Sequence, residues 1–335
     1  MSTYTKDHFD ANNYEANRLT YSPEFVKELV EFHKKGQSTP QADSSGKIDV
    51  GVDVACGTGK FTTLMPPYFN QVIGTDLSQH MLDSAPKTAD NIKYIACPAE
   101  ALALEDNSAD IVTVATGAHW FDSAKFVKEA CRVLRPNGTL AIFSYLGLAD
   151  FPKYPQVDAI LREFAMGEEG LGPYSDNGLS NAHELYYEYM VALTSSQNRS
   201  CGPSEDNPNC CICWVDVERR AYPQAAMNIQ NQRYGGSSTI KNDAHPAFEL
   251  IDSKTTVTDS SFILDKKYIT WNGIKKLFSS SSPYANYCKQ NPDKPDILEK
   301  YIKMMMDAAG STDINEVVEI KWWQVLILAR CNKQA

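Results

Sequence analysis

Between residues 48 and 146 the chain alternates short apolar runs with amphipathic ones, and that rhythm leaves few folds open. Residues 48–54, 72–76, 92–96, 111–115 and 139–145 are rich in Val, Ile and Ala. Such continuous runs read as strands buried on both faces, not as the in–out alternation of a half-solvated sheet. Between them, residues 78–85 and 123–134 carry helical periodicity, each opened by a serine in the cap position, Ser78 and Ser123. Strand–helix–strand repetition of this kind builds a parallel sheet with helices on both faces. Any ligand is then expected at the carboxyl ends of the strands.

The flanks organise differently. Residues 1–46 read as a helical leader, with Ser22-Pro23-Glu24 as N-cap, first helical position and acidic first turn, then Phe25, Leu29 and Phe32 on one face. The core spans 47–147. Residues 148–318 read as a helical lid, with helices near 153–166, 181–193, 272–279 and 295–309 and a polar insertion at about 195–247. A final apolar strand at 319–335 completes the sheet. The formal charge of −10 over 335 residues argues against a nucleic-acid partner, which needs a basic face, and gives no support to a membrane partner. With neither a signal-like apolar leader nor a membrane-length run, the expectation is a cytoplasmic protein with mostly reduced cysteines.

Two of the strand ends carry unusual residues. Val52-Asp53-Val54-Ala55-Cys56-Gly57-Thr58-Gly59 is a strand running straight into a glycine turn. Gly57 and Gly59 would let the backbone approach a ligand, and Asp53 in an apolar strand needs donors or a ligand amine to offset its burial. Asp76 ends the second strand about 20 positions later, where a nucleotide fold places its ribose acceptor. A dinucleotide fingerprint would need a third glycine, but its place is taken by Thr62.

Four stretches, V-D-V-A-C-G-T-G, G-T-D-L-S-Q-H-M-L, P-A-E-A-L and A-C-R-V-L-R-P-N-G-T-L, resemble the class I S-adenosylmethionine-dependent methyltransferases in order and spacing. The resemblance implies a seven-stranded, mostly parallel α/β sheet with S-adenosylmethionine as cofactor. A narrower likeness lies in Tyr14-x-x-x-Arg18, Tyr21-x-Pro23, Ala118-His119-Trp120-Phe121-Asp122, Phe151-Pro152-x-Tyr154-Pro155 and Gly170-Leu171-Gly172-Pro173-Tyr174. These resemble the fungal trans-aconitate and cantharidin-resistance methyltransferase group, which implies a small carboxylic acid esterified at its carboxylate. By the same resemblance Asp53, Gly57 and Gly59 would surround the methionine part of the cofactor. Asp76 would hold the ribose, Leu77 would lie against the adenine, and Ala99 would meet the adenine through its N–H, with Glu100 nearby.

Departures narrow the acceptor. Pro98 stands where many of these enzymes carry an adenine-binding Asp, and 175–180 lack the arginines a tricarboxylate would favour. His119, Trp120 and Arg18 are the catalytic candidates. His119 would be the general base for a hydroxyl or amine, or else a structural histidine; Arg18 would orient a carboxylate. Tyr14, Tyr145 and Tyr174 would wall the substrate. A carboxylate acceptor needs no base, whereas N- or C-methylation of a secondary or quinone metabolite, the alternative, would. Cys201, Cys210, Cys211 and Cys213 cluster without the paired knuckles of a zinc site, so no metal is expected.

Overall fold

The computed structural model of the protein describes residues 19–37, 46–175, 213–222, 255–257 and 268–333. The alternating stretch folds as β1 (Ile48–Val54), β2 (Phe69–Asp76), α2 (Gln79–Asp83), β3 (Ile92–Ala96), β4 (Ala109–Ala115), α3 (Ser123–Val133) and β5 (Leu134–Asp150), preceded by α1 (Pro23–Lys35). Downstream lie α4 (Pro155–Met166), β6 (Cys213–Tyr222), β7 (Thr255–Val257), β8 (Tyr268–Thr270), α5 (Trp271–Ser279), α6 (Ser282–Gln290), α7 (Ile297–Ala309), β9 (Val317–Glu319) and β10 (Lys321–Asn332).

The main sheet runs in the order β3-β2-β1-β4-β5-β10-β6-β7. Strands β1 to β5 are mutually parallel, and β10 enters antiparallel between β5 and β6. The first seven strands in that order form the mostly parallel sheet the sequence implies; β7 is a three-residue addition at the edge. The chain order reverses between β1 and β4, which opens a crevice at their carboxyl ends.

Three local expectations need correction. The stretch read as a polar insertion contributes β6, because β10 supplies its hydrogen-bonding partner from more than a hundred residues further on. Charges at 216 and 218–220 hid it, although Trp214 is fully buried. Helix α3 is capped by Asp122, whose Oδ1 accepts the Lys125 N–H at 3.1 Å, and not by Ser123. Ser22 holds the N-cap position of α1, but its hydroxyl donates to Glu24 at 2.7 Å instead of capping. The expected helix at 181–193 and three of the four clustered cysteines lie outside the described residues, as does the side chain of Cys213.

Each face of the sheet is covered. Phe25, Phe61, Phe143, Trp271, Tyr301 and Trp322 belong to the core beneath α1 and α4–α7. On the other face Val112, Val114, Ile142 and Ile327 pack under Phe126 and Ala130 of α3. The leader helix is fixed by a buried cation: Arg330 of β10 donates to the carbonyls of Phe32 and His33 at 3.0 and 3.2 Å, with its guanidinium 4.6 Å from the Phe32 ring centre. A positive charge there meets the negative end of the helix. Beside it His33 is buried, with Nδ1 3.0 Å from the Thr139 hydroxyl. Burial first, then the Arg330 charge, pushes its pKa down to about 4. This docking sets Leu19 and Tyr21, just ahead of α1, against the crevice. No described helix is long and apolar enough to cross a membrane.

Candidate active site

A cavity of about 320 Å³ opens at the carboxyl ends of β1 to β5 and is roofed by α4, α5 and α6. Its first half is built from the glycine turn and the ends of β2 and β3. Ala55, Gly57 and Gly59 all take positive φ (54°, 57° and 80°), so the turn winds through a conformation that side chains resist. A Cβ on Gly59 would come within 2.6 Å of the Tyr94 hydroxyl oxygen. The turn and strand β2 are joined through Asp76: Gly57 N–H donates to Oδ2 at 2.9 Å and Ser78 N–H to Oδ1 at 2.8 Å. Burial raises the Asp76 pKa, and those backbone donors act against the shift.

Leu77, Ala99 and Glu100 line the same half, beside Met81, Cys97 and Pro98. Leu77 leaves 65% of its surface exposed, the largest value among the exposed large apolar residues described. Glu100 accepts the Asp122 N–H at 2.9 Å, which ties the third-strand loop to the start of α3. Asp53 lies behind the wall and not on it. It is fully buried and receives the hydroxyls of Thr62 at 2.6 Å and Thr113 at 3.0 Å. Desolvation, only partly countered by those hydroxyls, raises its carboxyl to about 7. Gly59 is not on the wall either. Two of the three residues expected around the methionine part thus support the turn from behind.

The second half lies over the ends of β4 and β5. His119 and Trp120 sit in a 3-10 turn, residues Ala118–Trp120, with ring centres 4.8 Å apart, and both reach the cavity. Tyr145 lines it from β5. Tyr174 is not on the wall: its ring stands edge-on to Tyr287 at 5.1 Å, and its neighbours Gly172 and Ser175 reach the cavity instead. Tyr14 and Arg18 lie outside the described residues.

Sequence reasoning passed over several wall residues. The Tyr21 hydroxyl lies 2.9 Å from the Thr116 hydroxyl, and Thr116, at the end of β4, has φ of 60°. A β-branched residue in that region is a genuine outlier, of the kind that gathers at functional sites. Tyr21 belongs to the Tyr21-x-Pro23 motif, which by itself assigns it no place; Thr116 carries no signal in the sequence beyond ending a strand. Lys60, next to the glycine turn, is a further wall residue. No group of His, Cys, Asp or Glu suited to a metal ion occurs among the described residues.

Comparison with known proteins agrees with this geometry. Residues 52–142 match the methyltransferase domain family. The chain is 25% identical to a probable S-adenosylmethionine-dependent methyltransferase of Saccharomyces cerevisiae, CRG1, over 98% of both chains. It is 42% identical to a putative methyltransferase of Dictyostelium discoideum, over 40% of this chain and 47% of that one. Its fold is shared with a putative type II methyltransferase from Anaeromyxobacter dehalogenans, at a TM-score of 0.58 and 16% identity, over 93% of this chain and 97% of that one. Fold and domain together define an enzyme of the methyltransferase class. The chain is a class I S-adenosylmethionine-dependent methyltransferase, and its likeness to the yeast protein runs from end to end.

Proposed function

We propose that the enzyme methylates the carboxylate of a small-molecule acid, giving a methyl ester. The cofactor fits the first half of the cavity: Leu77 offers an apolar surface for a ring, and Asp76 retains lone pairs for ribose hydroxyls beyond its two backbone bonds. The left-handed turn at Gly57 gives close backbone access for the methionine part. Bound there, S-adenosylmethionine supplies a methyl group activated on a sulfonium.

The observation that carries the carboxylate reading is where the acids of the cavity lie. Both carboxylates on its described wall, Asp76 and Glu100, belong to the cofactor half and already accept backbone N–H groups. A nucleophile that must lose a proton therefore finds only His119 as a base among the described residues of the second half. A carboxylate is ionised well below neutral pH and needs none. For an in-line displacement the wall then has only to align the acid and exclude water. The tight hydroxyl pair of Tyr21 and Thr116, with Tyr145, gives the acid its orienting surface. A cavity of about 320 Å³ in an acidic protein suits a small acceptor in the cytoplasm better than a nucleic acid or a membrane.

His119 on the wall favours a second reading, N- or C-methylation with the imidazole as base. The pH dependence of kcat for native and His119→Asn enzyme separates the two. For a carboxylate the native profile stays flat through the histidine range and the variant loses less than about tenfold. An acid-side loss in the native enzyme, with a variant slowed by about 10²–10⁴-fold, selects the second reading.

A further inference from the structure

We infer that the acceptor is an acid bearing one carboxylate on a hydrocarbon body, the body seated in an apolar chamber beneath α4, α5 and α6; this rests on the carboxylate reading above. The two halves of the second chamber differ in chemistry. Its floor, over β4 and β5, holds the polar groups: Thr116, Tyr21, His119 and Tyr145. Its roof is Ala165 and Met166 of α4, Leu171, Leu277 and Phe278 of α5, and Pro283 of α6. Among the described residues the roof has no charged side chain.

The roof is also poorer in donors than its sequence suggests. Ser175 and Ser281 face the cavity, and Ser144 borders it from β5. Each hydroxyl has one hydrogen, and each gives it to a backbone carbonyl. Ser175 donates to Leu171 at 3.4 Å, Ser281 to Phe278 at 2.7 Å and Ser144 to Tyr145 at 2.9 Å. Ser281 is held further, since its oxygen takes the Tyr284 N–H at the cap of α6. A carboxylate accepts hydrogen bonds and gives none, so each of these serines serves it only by giving up its bond to a backbone carbonyl. A second or third carboxylate carried under the roof would lose water without a described side-chain donor to replace it, a large penalty for an ion. A hydrocarbon body meets the reverse balance, because every methylene placed against Met166, Leu277 or Phe278 leaves water favourably.

The probes are cyclohexanecarboxylate, propane-1,2,3-tricarboxylate and cyclohexylamine, with labelled S-adenosylmethionine and the full-length enzyme. Base-labile product reports an ester and base-stable product an amine. Calorimetry of the same probes on enzyme saturated with S-adenosylhomocysteine reports binding independently of turnover. The expected result is that cyclohexanecarboxylate binds and is esterified with kcat/KM about ten- to a hundredfold above the tricarboxylate, the worth of two or three buried methylenes. Met166→Gln, at a half-buried helix end, should raise the KM for cyclohexanecarboxylate about tenfold while S-adenosylhomocysteine affinity stays at the native value. Preferential esterification or tighter binding of the tricarboxylate overturns the inference but leaves the carboxylate reading standing. So does a Met166→Gln enzyme with native KM. Methylation of cyclohexylamine with neither acid binding overturns the carboxylate reading itself, and the inference with it.

Discussion

The two halves of the cavity are assembled from very differently spaced stretches of chain. The cofactor half comes from residues 55 to 100, each segment following a strand already legible as a buried apolar run. The acceptor half joins Leu19 and Tyr21 to Thr116, His119, Tyr145, Met166, Leu171 and Phe278, from segments up to 259 residues apart. Polar atoms are used differently too. In the first half backbone N–H groups converge on Asp76, and in the second serine hydroxyls turn back onto carbonyls three or four residues earlier. A ligand site built on local backbone geometry keeps its pattern in the sequence. One built on packing between distant elements does not.

The strongest break of that contrast is at Asp76. Asp76→Ala removes the acceptor of two backbone N–H groups and the proposed ribose partner together. At about 1.5–3 kcal/mol per hydrogen bond to a charged group, affinity for S-adenosylhomocysteine should fall about 10²–10³-fold by calorimetry. The melting temperature should fall as well, because Gly57 and Ser78 lose their partner. Retention of affinity within about threefold of native would show that the cofactor half does not hang on this carboxylate.

A second prediction sets the leader helix against the glycine turn through two buried groups that titrate in opposite senses. His33 has its pKa pushed from 6.5 down to about 4. Between those values the unfolded chain binds the proton and the folded one does not, so His33 destabilises the fold as pH drops from about 6.5 to 4. Asp53 is raised from 3.8 to about 7. Over that window the folded chain holds the proton that the unfolded chain has lost, so its contribution is full below about 3.8 and is lost as pH rises through 7. Each effect amounts to on the order of 3 kcal/mol at its limit. They oppose, and native stability should change little between pH 7 and 4 from these two groups. His33→Gln should gain stability on acidification, and Asp53→Asn should lose it more steeply than native. Urea midpoints at pH 7, 5.5 and 4 check both. Parallel curves for all three proteins would refute the opposition.

The same pair shows what was legible. Asp53 stands out in the sequence as an acid inside an apolar strand that needs donors, and the structure supplies them from the hydroxyls of Thr62 and Thr113. Neither threonine can be recognised as a partner from composition. His33 gave no sign at all, since its neighbours Thr139 and Arg330 lie 106 residues away and at the far end of the chain. Strand β6 was missed for a related reason: its charges spoke for a polar loop, and only β10 makes it a strand. The strands β1 and β3 had their bounds in the sequence because a short, mostly apolar run is the mark of a strand inside a covered parallel sheet, and β1 is buried at every residue but Asp49. Tyr174 was placed on the substrate wall from its motif, but an edge-on contact with Tyr287 turns it aside. The roof serines could be counted from the sequence; where their hydrogens point depends on turns that only the fold defines.

The smallest effect is expected at Ala55, which occupies a position that behaves like glycine without being one. Its φ of 54° lies in the left-handed region, where an L-residue with a Cβ costs about 1–2 kcal/mol. Replacing it with Gly relieves that cost but gives the unfolded chain more freedom, which is worth about 0.5–1 kcal/mol in the opposite direction. The two nearly cancel, so Ala55→Gly should move the urea midpoint by no more than about 0.5 kcal/mol equivalent. Ala55→Val tests the same backbone from the other side. A branched side chain resists positive φ, and the Ala55 methyl already stands where a Cβ on Gly117 would come within 2.8 Å of it. The valine variant should therefore lose clearly more stability than the glycine variant gains or loses, and its affinity for S-adenosylhomocysteine should drop as the turn shifts. If Val is tolerated as well as Gly, the turn does not need its left-handed start, and the distinction between a cofactor half set by backbone conformation and an acceptor half set by packing fails at its origin.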